Sequence, residues 1–128
     1  MSRLLDVMER LRKECPWDRE QTTESLRTNT LEEVYELSDA ILSGRPEEVK
    51  KELGDVLLHI VFYSTIGEEQ GTFDLCDVAN ALCDKLIYRH PHVYGEAVAA
   101  SAGAVVKRWE ELKQQEKGGN KTVLSGVP

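Results

Sequence analysis

From Val56 to Tyr63 the chain reads VLLHIVFY, apolar at every position but His59. A run like this belongs to an element enclosed by others, and the type of that element has to be settled by its surroundings. Strand signals are weak throughout: there is no sustained period-two alternation and no Asn-Gly or Asp-Gly hairpin turn. Apolar residues recur at helical spacing instead. The run therefore sits in a helix that begins near Pro46, a residue suited to a first helical turn, and is broken at Gly71. With 128 residues the chain is the size of one domain. The expected fold class is an all-α helical bundle with this helix at its centre.

A first helix is predicted from about Arg3 to Glu14, with Leu4, Leu5, Met8 and Leu11 on one stripe. It stops at Cys15-Pro16, because proline disfavours helix in the residue before it. CPWD then reads as a connecting loop, in which Trp17 and Asp18 suit either packing or function. A second helix begins near Thr23 or Glu24, turns Leu26, Val34, Leu37 and Ile41 inward and ends at Gly44. Beyond the central helix, Asp74 and Asp77 supply an N-cap and a first-turn acid to a fourth helix bearing Leu75, Val78, Leu82 and Leu86. His90-Pro91 closes it. A final helix, from about Ser101 to Glu116, presents Val105, Val106, Trp109 and Leu112 at helical spacing. Residues 1–116 thus form the domain. The polar, glycine-rich ending KGGNKTVLSGVP is expected to be a flexible tail or the start of a linker over residues 117–128.

Acidic residues outnumber basic ones by 23 to 16, a formal charge of -7, which disfavours unaided contact with nucleic acid or an anionic membrane. A phosphate-bearing partner would need a cation between it and the protein. Cys15, Cys76 and Cys83 form no C-x-x-C pair, so neither a disulfide framework nor a thiolate zinc site is indicated. No signal-peptide run is seen, and no apolar stretch approaches the roughly 20 residues that span a bilayer. A soluble protein of the reducing cytoplasm is the expectation.

The chemistry lies in the acids. Glu33 with Glu36, and Glu52 with Asp55, are three apart, so each pair forms a two-carboxylate edge on one helix face. In a chain this charged, a single E-x-x-E is ordinarily a solvated surface. These pairs differ, because they extend apolar stripes: Asp55 continues into His59, Phe62 and Ile66, Glu36 into Ala40, and Glu33 into Leu37. Packed helices would bring the two pairs together. Four converging, partly buried carboxylates cannot all stay ionised without a counter-charge. A bound cation is the simplest remedy, and an all-oxygen ligand set points to Mg²⁺, with Mn²⁺ as a substitute. His59 reads as a packed, hydrogen-bonded core residue.

The segments CPWDREQT, LEEVYEL, KELGDVLLHIVFY, DKLIYRHPHVYG and RWEELKQQEK occur in this order, and over nearly the whole chain they resemble the MazG nucleotide pyrophosphohydrolases. The resemblance places that family's metal signature on Glu32, Glu33, Glu36, Glu52 and Asp55. It implies an all-α nucleoside triphosphate pyrophosphatase that works as a homo-oligomer, a dimer at least. Many members carry two such domains in tandem, and LSGVP falls near where a second would begin, so the chain is expected to correspond to an N-terminal half.

On geometry alone, Lys85 and Arg89 (i, i+4) suit either phosphate contact or salt bridging with acids such as Asp84. Trp109 suits the core. The resemblance assigns Lys85 and Arg89 to phosphate and Trp109 to the base or sugar. His90 and His92 flank Pro91 and read as turn residues. The expected reaction is Mg²⁺-dependent conversion of a nucleoside triphosphate to the monophosphate and pyrophosphate, by water attack at the α-phosphorus. Metal ligands are Glu33, Glu36, Glu52 and Asp55, and Glu32 or Glu36 is the candidate base. The alternative is a non-catalytic dimerisation or regulatory module with an idle nucleotide site.

Overall fold

The computed structural model describes residues 1–94 and 102–119, and every regular element among them is helical. In chain order these are α1 (Ser2–Glu14), α2 (Pro16–Glu20), α3 (Thr23–Ser43), α4 (Pro46–Glu69), α5 (Leu75–Arg89), α6 (Pro91–Tyr94) and α7 (Ala102–Gly119). The all-α expectation holds. Two compact units divide at Val78 and Ala79.

In the first unit, local chemistry sets the helix ends. Thr22 caps α3 through a reciprocal pair of bonds with Ser25, Ser25 N donating to Thr22 Oγ1 at 3.0 Å and Thr22 N to Ser25 Oγ at 2.8 Å. Gly44 ends α3 at φ 70°, a left-handed conformation that glycine adopts without a Cβ penalty. Pro46 then opens α4, so α3 and α4 form an antiparallel hairpin around a two-residue connection. Asp74 and Asp77 exchange backbone-to-carboxylate bonds of 2.9 and 2.8 Å at the start of α5, as their spacing suggested.

CPWD is not an irregular loop. Pro16 opens the one-turn helix α2, and Arg12 on α1 reaches over to its far end, donating to Asp18 O at 2.6 Å and Gln21 O at 2.8 Å. The Gln21 carbonyl just past the helix end is thereby satisfied, and Asp18 O, which also accepts from Gln21 N at 3.4 Å, gains a second bond. The same guanidinium bonds Glu69 at the end of α4 and lies 5.7 Å from the centre of the Phe62 ring.

The core of this unit is Met8, Leu26, Val61, Phe62 and Ile66, with Leu4, Leu57, Tyr63 and Leu75 packed on it. In this unit the central helix is enclosed on one side only: Leu58 is 38% exposed and Ile60 43%, while Val34 (48%) and Ile41 (58%), expected to point inward, do not. Within this unit α3 and α1 are the helices packed on α4, too few to surround it.

In the second unit, α7 packs on the end of α5. Leu112 is buried, Tyr88 Oη donates to Gln115 Oε1 at 2.9 Å, and the His90 and Trp109 rings meet edge-on with centroids 5.0 Å apart. α7 runs to Gly119 rather than stopping at Glu116. The rest of the expected tail, residues 120–128, lies outside the described residues.

Candidate metal centre

The α3–α4 hairpin brings three of the four expected acids into one group, with Asp55 outside it. Glu33 and Glu36 project from α3 and Glu52 from α4, and one carboxylate oxygen from each lies within 4.8 Å of the others. The helix faces explain this convergence: one turn beyond Glu36 on α3, Ala40 is buried, and Glu52 is itself only 7% exposed. Asp55 is half-buried, and its charge is felt by both Glu33 and Glu52. Glu32 is exposed and stands outside this group.

Electrostatics make the cluster unstable by itself. Burial first, then the charge of Glu36 and of Asp55, pushes the Glu33 carboxyl above its ordinary value, and Glu52 is raised for the same reasons in the same order. Lys51 opposes this only weakly, its Nζ being 3.9 Å from Glu52 Oε1. Among the described residues, Glu33 Oε2 and Glu52 Oε2 are buried without a hydrogen-bond partner. Unpartnered buried carboxylate oxygens call for an occupant that accepts several oxygen donors. A hard divalent ion fits: Mg²⁺ takes oxygens at about 2.0–2.1 Å, so donors on opposite sides of one ion stand ~4 Å apart. The donor set is entirely oxygen, as the sequence indicated.

Residues 21–94 match the model of the MazG nucleotide pyrophosphohydrolase domain. The chain belongs to the MazG family. Among relatives, the nucleoside triphosphate pyrophosphohydrolase of Escherichia coli K12 is 43% identical over 120 residues, 91% of this chain and 46% of that protein. The nucleoside triphosphate pyrophosphohydrolase/pyrophosphatase MazG of Thermotoga maritima is 48% identical over 125 residues, 96% of this chain and 48% of that protein. The chain thus spans about half the length of the curated relatives it matches. The crystal structure of a MazG-related protein from Thermotoga maritima agrees with a TM-score of 0.74 at 24% identity, covering 89% of this chain and 99% of that one, which supports the fold.

The remaining residues expected of a MazG site lie in the second unit. Lys85 is half-buried on α5. Arg89 is buried against α7, where its Nε donates to Glu116 Oε1 at 3.1 Å and its Nη2 to Glu116 Oε2. Trp109 packs on His90, and its indole N–H is buried with no hydrogen-bond partner among the described residues.

Sequence reasoning missed several neighbours of the carboxylates. A cleft of about 310 Å³ opens from Glu36 and Glu52 and is lined also by Asp39, Ser43, Arg45 and Glu48. Helical spacing carried the signal, since Asp39 and Ser43 follow Glu36 by three and seven residues and Glu48 precedes Glu52 by four. Thr30, which no motif drew attention to, links α3 to both His59 and Tyr63 on α4.

Proposed function

We propose that the chain is a Mg²⁺-dependent nucleoside triphosphate pyrophosphohydrolase domain, with Mn²⁺ able to substitute. The observation that carries this reading is the convergence of Glu33, Glu36 and Glu52, two of them with buried, unpartnered oxygens. Those three and Asp55 would hold the metal. When bound, the metal supplies charge neutralisation on phosphate and a lower pKa for a coordinated water. Glu36, or Glu32 from the solvent side of α3, takes the proton of the attacking water. The water oxygen bonds to the α-phosphorus, the bond to the bridging oxygen breaks, and pyrophosphate leaves.

Lys85 and Arg89 are assigned to the β and γ phosphates, where cations offset charge building on the leaving group. Trp109 is assigned to the base or sugar, and its unpartnered indole N–H supports a polar ligand there. Contact with Arg89 requires Glu116 to share or give up its hold on the guanidinium. The exposed Val34, Ile41, Leu58 and Ile60 support a homo-oligomer, since a second copy would cover them. Free thiols at Cys15, Cys76 and Cys83 support a reducing, cytoplasmic setting.

The test is turnover of a panel of nucleoside triphosphates with Mg²⁺ in oxygen-18 water. Label should enter the monophosphate and not the pyrophosphate, and Glu36→Gln should abolish release. Label in pyrophosphate or in orthophosphate would refute attack at the α-phosphorus. Triphosphate binding without turnover would establish the regulatory module instead.

A further inference from the structure

One turn from the carboxylates, on the side away from the α3–α4 connection, the Thr30 hydroxyl makes three contacts. It donates to Leu26 O at 3.1 Å, and it lies 2.6 Å from His59 Nδ1 and 2.5 Å from Tyr63 Oη. A hydroxyl has one proton and two lone pairs. With the proton given to the Leu26 carbonyl, which can only accept, both lone pairs must receive: His59 donates from Nδ1–H and Tyr63 from its phenol. Thr30 is therefore a fully used three-way junction between α3 and α4. Thr30 precedes Glu33 by three residues and His59 follows Asp55 by four, so Thr30 and its His59 arm each sit one helical turn from an acid of the proposed centre, while Tyr63 lies a turn further along α4.

This has a consequence for carboxylates that repel one another. Without a cation, the like charges of Glu33, Glu36, Glu52 and Asp55 push α3 and α4 apart. The two contacts that cross to α4, to His59 and Tyr63, fix the separation of α3 and α4 one turn from the acids. We infer that Thr30 is a positioning residue for the carboxylate centre, holding α3 and α4, through His59 and Tyr63, at the spacing that cation binding needs. The inference rests on the proposed metal role of Glu33, Glu36, Glu52 and Asp55.

The test is Mn²⁺ binding to the whole chain, read from the electron paramagnetic resonance of free Mn²⁺, at a temperature where circular dichroism shows every variant folded. Thr30→Val keeps the shape and removes the junction, and should weaken Mn²⁺ binding about tenfold, the low end for groups that orient metal ligands from outside. Thr30→Ser restores the hydroxyl and should restore affinity. Tyr63→Phe, which removes one arm and leaves the ring, should weaken binding less and in the same direction; it serves as the test should Thr30→Val fail to fold. A merely structural staple would lower the melting temperature of Thr30→Val and Tyr63→Phe with no change in Mn²⁺ affinity, and that result overturns the inference. So does a Thr30→Ser variant as weak as Thr30→Val. If Glu36→Gln binds Mn²⁺ as well as the unmodified chain, or that chain binds none, the carboxylates are not a metal centre and the underlying reading falls first.

Discussion

Arg89 and Glu116 close a buried ion pair that fastens α7 to the end of α5, with both side chains almost completely withdrawn from solvent. Removing the acid takes away the carboxylate that Arg89 Nε and Nη2 both hold. Glu116→Ala should therefore cost up to about 3–5 kcal/mol of unfolding free energy, and more than the double replacement Arg89→Met with Glu116→Leu, which removes both charges together. Urea denaturation of the single and double variants checks this, and equal losses in both would show that the pair matters for more than its charge.

Acidification should stabilise the cation-free protein at the centre. Glu33 and Glu52 have folded pKa values above their ordinary 4.5, so between that value and the raised one the folded chain binds more protons than the unfolded chain. Stability from these groups is present below the ordinary value and lost as pH rises through the raised one. The melting temperature of the unmodified chain, compared with Glu33→Gln/Glu52→Gln, should thus fall on going from mildly acidic to neutral pH. Saturating Mg²⁺ should flatten the difference, because the cation replaces the protons.

Divalent cation should act as a stabilising ligand. At a free Mg²⁺ concentration one hundred times its Kd, a one-site linkage gives about 2.7 kcal/mol of added stability. Glu36→Gln and Asp55→Asn should lose most of that gain, while in chelator both should melt no lower than the unmodified chain, since each removes a repelling charge. Calorimetry with and without Mg²⁺ measures both effects.

Gly67 on α4 has no room for a side chain. A Cβ there would stand 2.7 Å from Cε2 of Phe73 and 2.8 Å from Cζ, so the ring would have to move. Gly67→Ala should cost at the low end of the overpacking range, about 1 kcal/mol, because the Phe73 ring that must move is partly exposed and alanine is the better helix former. Adding Phe73→Ala should recover part of the loss, and chemical denaturation of the three variants decides it.

Much of this was legible in the sequence because helix termini and charge spacing are local. Gly44, Pro46, Asp74 and Asp77 mark helix ends by their own conformational and hydrogen-bonding preferences, and the acid spacing placed Glu33, Glu36 and Glu52 on facing stripes before any packing was known. What was hidden is relational. That Pro16–Glu20 would coil depends on Arg12 reaching its carbonyls from another helix. That Val34 and Ile41 would face outward depends on how few helices cover the hairpin. Thr30 gave no signal, since a threonine inside a helix means little until its partners 29 and 33 residues away are seen.

The left-handed turn at Gly44 has one more consequence, for the order in which the molecule assembles. All four proposed ligands lie between Glu33 and Asp55, on the two arms of a hairpin folded back at that glycine. Closing so short a segment sacrifices little chain entropy, and contacts of short sequence separation form early. The hairpin would thus present its acids to a cation before α1 docks, and metal availability in the surrounding solution would bear on how fast the chain folds as well as on what it does once folded.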